Sequence, residues 1–286
     1  MTPSPIKLSS PATREFWELP VLFEDEYLLA IEKPARMLTS PDRYDPERPN
    51  LMKLLHAGVS EGKPWATSRG LTYLANAHRL DFETSGVLLL AKDKDALSKV
   101  ASHFGTERAV KHYVALVQGN PPEKLFEVDA PIGPHPHHVG RMHVDHSDGK
   151  KSRTQFEVLE SFLGFSLLRC RPFTGRTHQI RIHLRHVRLP IVADVLYLGK
   201  PLMLSTVKRG YRLKPGRTER PLIDTVALHA ERLEIPHPIT GQPVVIESPW
   251  SKDIRVALKF LRKCATSGAG FNEAPATASE PEESGA

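Results

Sequence analysis

A run of five apolar residues at 87–91, Val-Leu-Leu-Leu-Ala, constrains the fold of this chain more than any other feature. Because the run is apolar at every position and not only at alternate positions, it predicts a strand that is buried on both faces. A Thr-Ser-Gly turn leads into this strand, and Arg79 stands two positions before Asp81 ahead of the turn. A loop anchored on a buried strand can hold Asp81 rigidly at the end of a sheet while Arg79 faces an anionic group. The alternative is an ordinary surface loop before a core strand.

The other periodicities of the chain predict a mixed architecture. Apolar residues recur with helical spacing at 94–107, where Asp93 is suited to cap the first turn, and at 177–188 and 251–263. Strand patterns occur at 27–32, 112–118, 154–158, 165–170, 226–235 and 243–247. Since strands outnumber helices and turn residues join several of them, the sequence predicts an α+β fold with a mixed, mostly antiparallel sheet flanked by helices.

Composition and charge indicate a cytoplasmic protein with a polyanionic partner. The 286-residue chain is 40% hydrophobic, which is enough for a sizeable core, and it has no apolar stretch of about 18 residues that could cross a membrane. The first 14 residues lack the apolar core of a secretory signal, and the two cysteines lack metal-ligand spacing. The net charge is +6, and because segment 265–286 contributes −4, the rest of the chain carries +10. Such a charge favours a polyanion, although solubility alone is the alternative explanation.

Four segments together resemble one known family. Residues 78–86 resemble the signature H-R-L-D-x-x-T-S-G of the RluA-type RNA pseudouridine synthases, in which the aspartate is the catalytic nucleophile. Residues 175–184 resemble the T-G-R-T-H-Q-I-R-x-H block of this family, and residues 111–119 are similar to the segment that carries its active-site tyrosine. Residues 23–34 resemble its opening strand and Lys-Pro turn. The resemblance extends over about residues 20–262, and the ordered match at 78–86 is specific.

This resemblance implies a fold, an activity and a partner. It implies a pseudouridine synthase catalytic domain at 21–264, between a flexible N-terminal lead at 1–20 and a disordered acidic tail at 265–286. It also implies an isomerase that converts specific uridines of structured RNA, ribosomal or transfer, in the cytoplasm. The conversion breaks an N-glycosidic bond and rejoins the base through carbon, so we expect no cofactor and no metal. We further expect RNA as the partner, no membrane association and a monomer.

Three residues are expected to carry the chemistry: Asp81, Tyr113 and Arg181. Asp81 is the candidate nucleophile, because a carboxylate can form a covalent intermediate with the ribose or with the uracil ring, and the sequence leaves the attack position open. Arg181 is expected to keep Asp81 ionised, since a cation lowers the pKa of a nearby carboxylate and arginine can pair with it through two hydrogen bonds. Tyr113 is expected to stack on uracil and to accept the proton from C5. Each residue has an alternative explanation. Asp81 could be an ordinary turn residue, Arg181 could belong to a solvated helix face with Arg185 and Arg188, and Tyr113 could be a core residue.

A second set of residues is expected to bind RNA. Arg79 is the candidate wedge that enters the space left by a flipped nucleotide, with a plain phosphate contact as the alternative. The segment 200–220 is rich in Lys and Arg and predicts a basic arm that contacts phosphates, or else a solvated loop. The expected substrate-binding residues are Arg79, Thr84, Arg176, His178, Gln179, Lys208, Arg209 and Arg212.

Two segments depart from simple expectations. Five histidines at 135–146 suggest a metal site, but prolines interrupt the run and no cysteine accompanies it, so we expect no metal and leave the role of the segment open. After the arginine-rich helix the family tends to have H-P-I-x-G-D, where this chain has L-P-I-V-A-D at 189–194. Asp194 and Tyr197 are retained, so the local turn is the place where we expect a difference from the family.

Two other functions compete with the one that the resemblance implies. A catalytically silent RNA-binding protein on the same scaffold would not need Asp81, Tyr113 and Arg181 together. A glycoside hydrolase would need a second, paired carboxylate, and Glu83 is the nearest candidate in the sequence. Release of free uracil or sugar would distinguish a hydrolase from a synthase.

Overall fold

The computed structural model describes residues 3–10, 13–42 and 48–266 of the chain. Most of the acidic tail expected at 265–286 lies outside these residues. The first two residues of that segment belong to the folded domain, because Ala265 is buried and Thr266 forms a β-bridge with Phe162.

Strands and helices alternate irregularly along the described chain. The strands are β1 Ile6–Ser10, β2 Glu15–Leu19, β3 Val21–Glu24, β4 Leu28–Lys33, β5 Ala75–Asn76, β6 Ser85–Ala91, β7 Val110–Gln118, β8 Leu125–Asp129, β9 Ile132–Pro134, β10 Met142–Val144, β11 Arg153–Phe162, β12 Phe165–Pro172, β13 Leu228–Pro236 and β14 Pro243–Glu247. The helices are α1 Leu51–Ser60, α2 Pro64–Thr67, α3 Lys94–Gly105, α4 Gln179–His186, α5 Leu204–Val207 and α6 Lys252–Cys264.

One large sheet organises the molecule. Its strands run in the order β3-β4-β6-β13-β7-β12-β11-β8, with β5 paired to β6 and β14 paired to β13. Among the described strands, β6 and β13 form the one parallel pair, and the other neighbours are antiparallel. This confirms the α+β fold with a mixed, mostly antiparallel sheet. The hairpin expected at 226–247 is also confirmed, as β13 and β14.

Strand β6 is buried over its whole length, as the run at 87–91 predicts. Leu88 and Leu90 pack into an apolar core beneath the N-terminal strands and helix α1. Val87 and Leu89 point to the opposite side, where they pack against Val100 of helix α3. Alternate side chains of one strand therefore fill two cores, because successive residues of a strand face opposite sides of the sheet.

Gly86 allows the close approach of the parallel neighbours β6 and β13 within the sheet. Its backbone has a φ of +112°, and a Cβ atom at this position would lie 2.2 Å from the carbonyl oxygen of Ala230. Glycine is therefore the residue that fits both the conformation and the space. Beside it, Ser85 Oγ and His229 Nδ1 are hydrogen-bonded at 2.9 Å and tie the two strands together. The loop that precedes β6 is thus anchored in the middle of the fold.

The N-terminal segment is more ordered than the flexible lead expected at 1–20. Strands β1 and β2 form an antiparallel hairpin, and Ile6, Leu8 and Leu19 are buried in the same core as β6. The expectation was wrong for residues 6–10 and 15–19, because apolar residues on one face of this short hairpin find a partner surface only in the folded domain.

Helix ends follow local signals, with one correction. Asp93 caps α3 as predicted, and its side chain accepts hydrogen bonds from the backbone N–H groups of residues 95 and 96. Helix α4 is shorter than the predicted 177–188, because His178 and Arg188 at its two ends adopt left-handed backbone conformations. Arg188 therefore does not share a helix face with Arg181 and Arg185. None of the described helices is both long and apolar enough to span a membrane.

Candidate active site

The loop that carries Asp81 is held by backbone and buried side-chain contacts. The N–H of Thr84 donates to the carbonyl oxygen of Asp81 at 3.1 Å and closes a tight turn. Thr39 holds Leu80, the residue before Asp81, through two hydrogen bonds. Its Oγ1 accepts from the N–H of Leu80 at 3.2 Å and donates to the Leu80 carbonyl at 3.0 Å. Leu80 itself is buried. These contacts fix the backbone around the carboxylate.

Lys33 supports the same loop from inside the protein. It is completely buried, and its Nζ donates to the carbonyl oxygens of Pro34 and Met37 at 2.8 Å and of Phe82 at 3.5 Å. Burial lowers the pKa of Lys33 to about 7, against the opposing effect of Asp81 and a neighbouring carboxylate. The Lys-Pro turn therefore acts as a buried anchor for the residue that follows Asp81.

Asp81 lies in a cleft of about 550 Å³ that collects most of the predicted residues. Its floor lies on the main sheet, and its rim comes from the loops before β6 and before α4. Eight of the eleven predicted catalytic and binding residues line it: Arg79, Asp81, Thr84, Tyr113, Arg176, His178, Gln179 and Arg181. Lys208, Arg209 and Arg212 do not line the cleft.

Arg181 lies near Asp81, but its main partner is another carboxylate. The Nη1 atom of Arg181 is 3.8 Å from Asp81 Oδ2. By contrast, Nε and Nη2 donate to the two carboxylate oxygens of Asp194 at 2.7 and 2.8 Å. Both side chains are almost fully buried. Burial is the largest single effect and lowers the pKa of Arg181, but the hydrogen bonds and charge of Asp194, together with the charges of Asp81 and Tyr197, outweigh it and raise this pKa above its ordinary value, so the guanidinium stays charged. Arg181 is thus a positioned cation facing Asp81.

The turn that presents Asp194 differs in sequence from the family and keeps a left-handed residue. Ala193 has a φ of 62°, at the position where the family tends to have glycine. Left-handed backbone costs a residue with a Cβ atom about 1–2 kcal/mol. The backbone of Gly199 packs closely against this turn. Only glycine fits there, because a Cβ atom would lie 1.8 Å from the carbonyl oxygen of Ile191. The pairing of Arg181 with Asp194 therefore rests on a turn that carries some backbone strain.

Tyr197 connects His178 to the neighbouring hairpin. Its hydroxyl accepts a hydrogen bond from the N–H of Met142 at 3.2 Å and lies 2.7 Å from His178 Nδ1. If the hydroxyl donates its proton to Nδ1, the proton of neutral His178 is on Nε2, which is 4.0 Å from Asp81 Oδ2. Burial lowers the pKa of His178, which keeps the ring neutral near pH 7. The guanidinium of Arg181 also lies over the Tyr197 ring, 4.9 Å from its centroid.

Tyr113 lies on β7, on the cleft side of the sheet. Its backbone is paired with Cys170 of β12 and Ala230 of β13, so the ring is carried by the sheet itself. Burial, followed by the charge of Asp81, raises the pKa of Tyr113 above its ordinary value. The hydroxyl stays protonated at neutral pH, which suits a stacking surface better than a free base.

Gln179 and Thr84 build the cleft wall. The Gln179 side chain is buried, and its Oε1 accepts from Thr174 Oγ1 at 2.7 Å and from the N–H of Arg176 at 3.0 Å. Its Nε2 donates to the Arg153 carbonyl and to a threonine hydroxyl. Since these bonds use the whole amide, Gln179 positions the loop before α4 and is not available to bind substrate. Thr84 is likewise buried at the turn after Asp81.

The rim of the cleft is basic. Arg79 and Arg176 are exposed there, and Arg176 Nε donates to the Lys151 carbonyl at 3.2 Å. Lys111 also lines the cleft, and burial lowers its pKa. With Arg181 below, these cations suit a polyanionic ligand. Lys111, Lys33, Asp194 and Tyr197 were not assigned a role from the sequence, although each lies inside or next to a matched motif.

The basic arm and the histidine-rich segment do not line the cleft. Lys208, Arg209 and Arg212 follow α5 and are exposed, so their contact with RNA stays a prediction. The histidines lie on and beyond the β9–β10 hairpin, and the rings of His135 and His138 are 4.6 Å apart. No cluster of His, Cys, Asp or Glu that could hold a metal ion is found in the described parts of the chain.

Fold and site together define a class: an α+β protein whose central sheet presents a carboxylate, a buried guanidinium and a tyrosine in a basic cleft. The RNA pseudouridylate synthase family matches residues 27–186. The chain belongs to the RNA pseudouridine synthase family, a class of isomerases.

Relatives and solved structures agree with this assignment. The chain is 39% identical over 245 residues to ribosomal large subunit pseudouridine synthase D of Nitrosomonas europaea. The aligned region covers 85% of this chain and 65% of that protein. It is 34% identical over 247 residues to ribosomal large subunit pseudouridine synthase C of Yersinia pestis, covering 86% and 70%. The structure of human RNA pseudouridylate synthase domain containing 4 superimposes with a TM-score of 0.63 at 25% identity, covering 85% of this chain and 92% of that one.

Proposed function

We propose that this protein converts specific uridines of large-subunit ribosomal RNA into pseudouridine, with Asp81 as the nucleophile. One observation carries the proposal: the Asp81 carboxylate lies 3.8 Å from a buried guanidinium that Asp194 holds in place, inside a basic cleft. A positioned cation next to the carboxylate compensates its negative charge and orients it for nucleophilic attack. The similarity to two ribosomal large subunit pseudouridine synthases supports ribosomal RNA as the substrate over transfer RNA.

The cleft accommodates the reaction in four steps. A uridine leaves its stack and enters the cleft, while Arg79, an exposed residue of the cleft lining, fills the gap. Asp81 forms a covalent bond with the nucleotide, and the N1–C1′ glycosidic bond breaks. The base rotates and a C5–C1′ bond forms. C5 then loses its proton and N1 gains one. If Asp81 is bonded to the ribose, C5 displaces its carboxylate as the C5–C1′ bond forms; if Asp81 is bonded to the uracil ring, its carboxylate leaves as the C5 proton is lost. Tyr113 supports the base by stacking throughout.

The first experiment tests the nucleophile. Asp81→Asn keeps the shape of the side chain and removes its charge, so the variant should bind a transcript of large-subunit ribosomal RNA normally and form no pseudouridine. Glu83→Gln removes a carboxylate two positions away and should retain turnover. Substantial turnover by Asp81→Asn would exclude Asp81 as the nucleophile, and loss of turnover in Glu83→Gln would favour a two-carboxylate mechanism.

The second experiment identifies the substrate. Pseudouridines are mapped in total RNA from cells with and without the gene. We expect sites in large-subunit ribosomal RNA to disappear without the gene and to return with the wild type but not with Asp81→Asn. Loss of sites only in transfer RNA would contradict the proposed substrate, and unchanged RNA would favour the catalytically silent binding protein.

The basic arm can be tested separately by the salt dependence of binding. Replacing Lys208, Arg209 and Arg212 by alanine should weaken RNA binding and flatten the plot of log affinity against log salt by up to about 0.9 per lost phosphate contact on duplex RNA. The matched control replaces three exposed lysines of α6, which are Lys252, Lys259 and Lys263. Equal slopes for the two triple variants would mean that the arm does not contact RNA.

A further inference from the structure

A second cavity lies next to the loop that carries Asp81. It has a volume of about 320 Å³, at the small end of the range for ligand pockets. Among its described lining residues, two are aromatic and two are arginines: Trp17, Phe82, Arg36 and Arg48. Phe82 follows Asp81 directly in the chain, and consecutive Cα atoms are only about 3.8 Å apart. The cavity and the reacting cleft are therefore neighbours on the two sides of one loop.

One wall of this cavity comes from the N-terminal hairpin. In the register of β1 and β2, Trp17 lies opposite the buried Leu8, on the face of the hairpin that packs onto the domain. Trp17 is half-buried and packs against the core below. Phe16 points to the other face, with 62% of its surface exposed. The indole is thus held at the cavity by the packing of the hairpin.

The opposite wall is a stacked pair of a cation and a ring. The guanidinium carbon of Arg48 lies 4.4 Å above the centroid of the Phe82 ring. Arg36 stands nearby with half of its side chain exposed, and it donates to the backbone carbonyl of Asp224 at 2.6 Å. Glu15 is the one acidic residue among the described lining residues. The two arginines also have carboxylate partners outside that lining: Arg48 lies 3.7 Å from Asp42, and Arg36 lies 3.8 Å from Glu83 and 3.5 Å from Asp224.

Aromatic rings and guanidinium planes with a positive charge are the features that bind unpaired bases of RNA. Bases stack on aromatic rings and on arginine planes, and the same arginines can bind the adjoining phosphates. A plain phosphate site would not need the two aromatic walls. We propose that this cavity binds one unpaired base of the RNA substrate, close in sequence to the target uridine, and so contributes to the choice of site. This inference rests on the proposed function.

The test uses a stem-loop transcript that contains a mapped target uridine, bound to protein that carries Asp81→Asn so that no turnover occurs. Trp17→Ala and Arg48→Ala should each raise the dissociation constant about 5- to 150-fold, which is the range for loss of one stacked base. Phe16→Ala, on the exposed face of the same strand, should leave it unchanged. Trp17→Phe keeps a ring in the core and at the cavity, and should recover most of the affinity.

A scan with abasic nucleotides distinguishes a base site from a general loss of folding. A single abasic ribose is placed at each position around the uridine. For protein with Trp17, one position should weaken binding strongly. For Trp17→Ala, the same abasic substitution should have little further effect, because the stacking between this base and the indole is already lost. Additive effects at every position would overturn the proposal, as would equal dissociation constants for Trp17→Ala and Phe16→Ala.

The outcome also separates this inference from the proposed function. Protein with Asp81 intact is assayed in parallel with the same transcript and with the Trp17→Ala and Arg48→Ala substitutions. Pseudouridine formation with an unchanged KM in both variants would overturn the base site and leave the proposed function standing. Absence of pseudouridine with every form of the protein would instead count against the proposed function and the base site together.

Discussion

Replacing Asp194 by asparagine tests whether Arg181 is held in place by a buried partner. The Asp194 carboxylate accepts two hydrogen bonds from Arg181, at 2.7 and 2.8 Å, and the exposed fractions of the two side chains are only 1% and 6%. Asparagine has nearly the same shape and one acceptor oxygen, so it can keep one of these bonds but not the opposite charge. The substitution therefore removes the closest counter-charge of a buried cation and leaves Asp81, at 3.8 Å, as its remaining carboxylate neighbour.

The magnitude follows from this burial. Removing one partner of a buried ion pair costs about 3–5 kcal/mol, and because one hydrogen bond can survive in Asp194→Asn we expect about 3 kcal/mol. For a chain of this size that corresponds to a fall in Tm of about 6–12 °C. Turnover should fall about 10- to 100-fold as well, since Arg181 is free to move relative to Asp81 and misplacement by about 1 Å can have this effect.

The assay is urea unfolding of both proteins, combined with single-turnover rates on RNA. A matched control is available at the surface, where Arg262 forms two hydrogen bonds with Glu160 at 2.9 and 2.5 Å but with exposed fractions of 53% and 33%. Glu160→Gln should cost less than about 1 kcal/mol, because exposed pairs contribute little. If Asp194→Asn and Glu160→Gln were equally stable, or if Asp194→Asn kept full turnover, Arg181 would not depend on Asp194 for its position.

Four further substitutions test other parts of the structure. Gly86→Ala should lower the free energy of unfolding by about 3 kcal/mol or more, because the φ of +112° and the 2.2 Å approach leave no room for a methyl group; a drop below 1 kcal/mol in urea unfolding would contradict this. Ala193→Gly should raise the free energy of unfolding by up to about 1 kcal/mol, and Tm slightly with it, because glycine relieves the strain of the left-handed backbone; a lower Tm would refute that reasoning. The pKa of Lys33 is about 7 in the folded protein and 10.5 ordinarily. Between these two pH values Lys33 is protonated in the unfolded chain but largely neutral in the folded protein. The free energy of unfolding should therefore rise with pH there, by up to about 1.4 kcal/mol per pH unit. Lys33→Met should lose this rise between pH 7.5 and 9.5, whatever its absolute stability, and an equal rise would show that the folded amine keeps its proton. Tyr197→Phe should slow single turnover about tenfold, with no further loss when combined with His178→Ala, because the hydroxyl acts through that ring; additive losses would exclude this coupling.

Local patterns in the sequence determined much of the fold and of the candidate site. The apolar run at 87–91 identified the buried central strand, Asp93 identified the start of α3, and the alternating segments identified most of the sheet. These features depend on neighbours two to four residues away, so they can be read before the fold is known. The motifs also named eight residues that the fold gathers around one cleft.

Only the tertiary structure decided which groups these residues contact. Arg181 takes Asp194, 13 residues further along the chain, as its close partner, and Gln179 uses its whole amide on the cleft wall. The hairpin at 6–19 is ordered because the core beside β6 accepts its apolar face, which no property of the hairpin itself reveals. Hydrogen-bond partners and burial depend on which distant segments meet, and that is fixed by packing over the whole chain. Residue types and spacing therefore predicted eight residues that line the cleft but not what those residues contact.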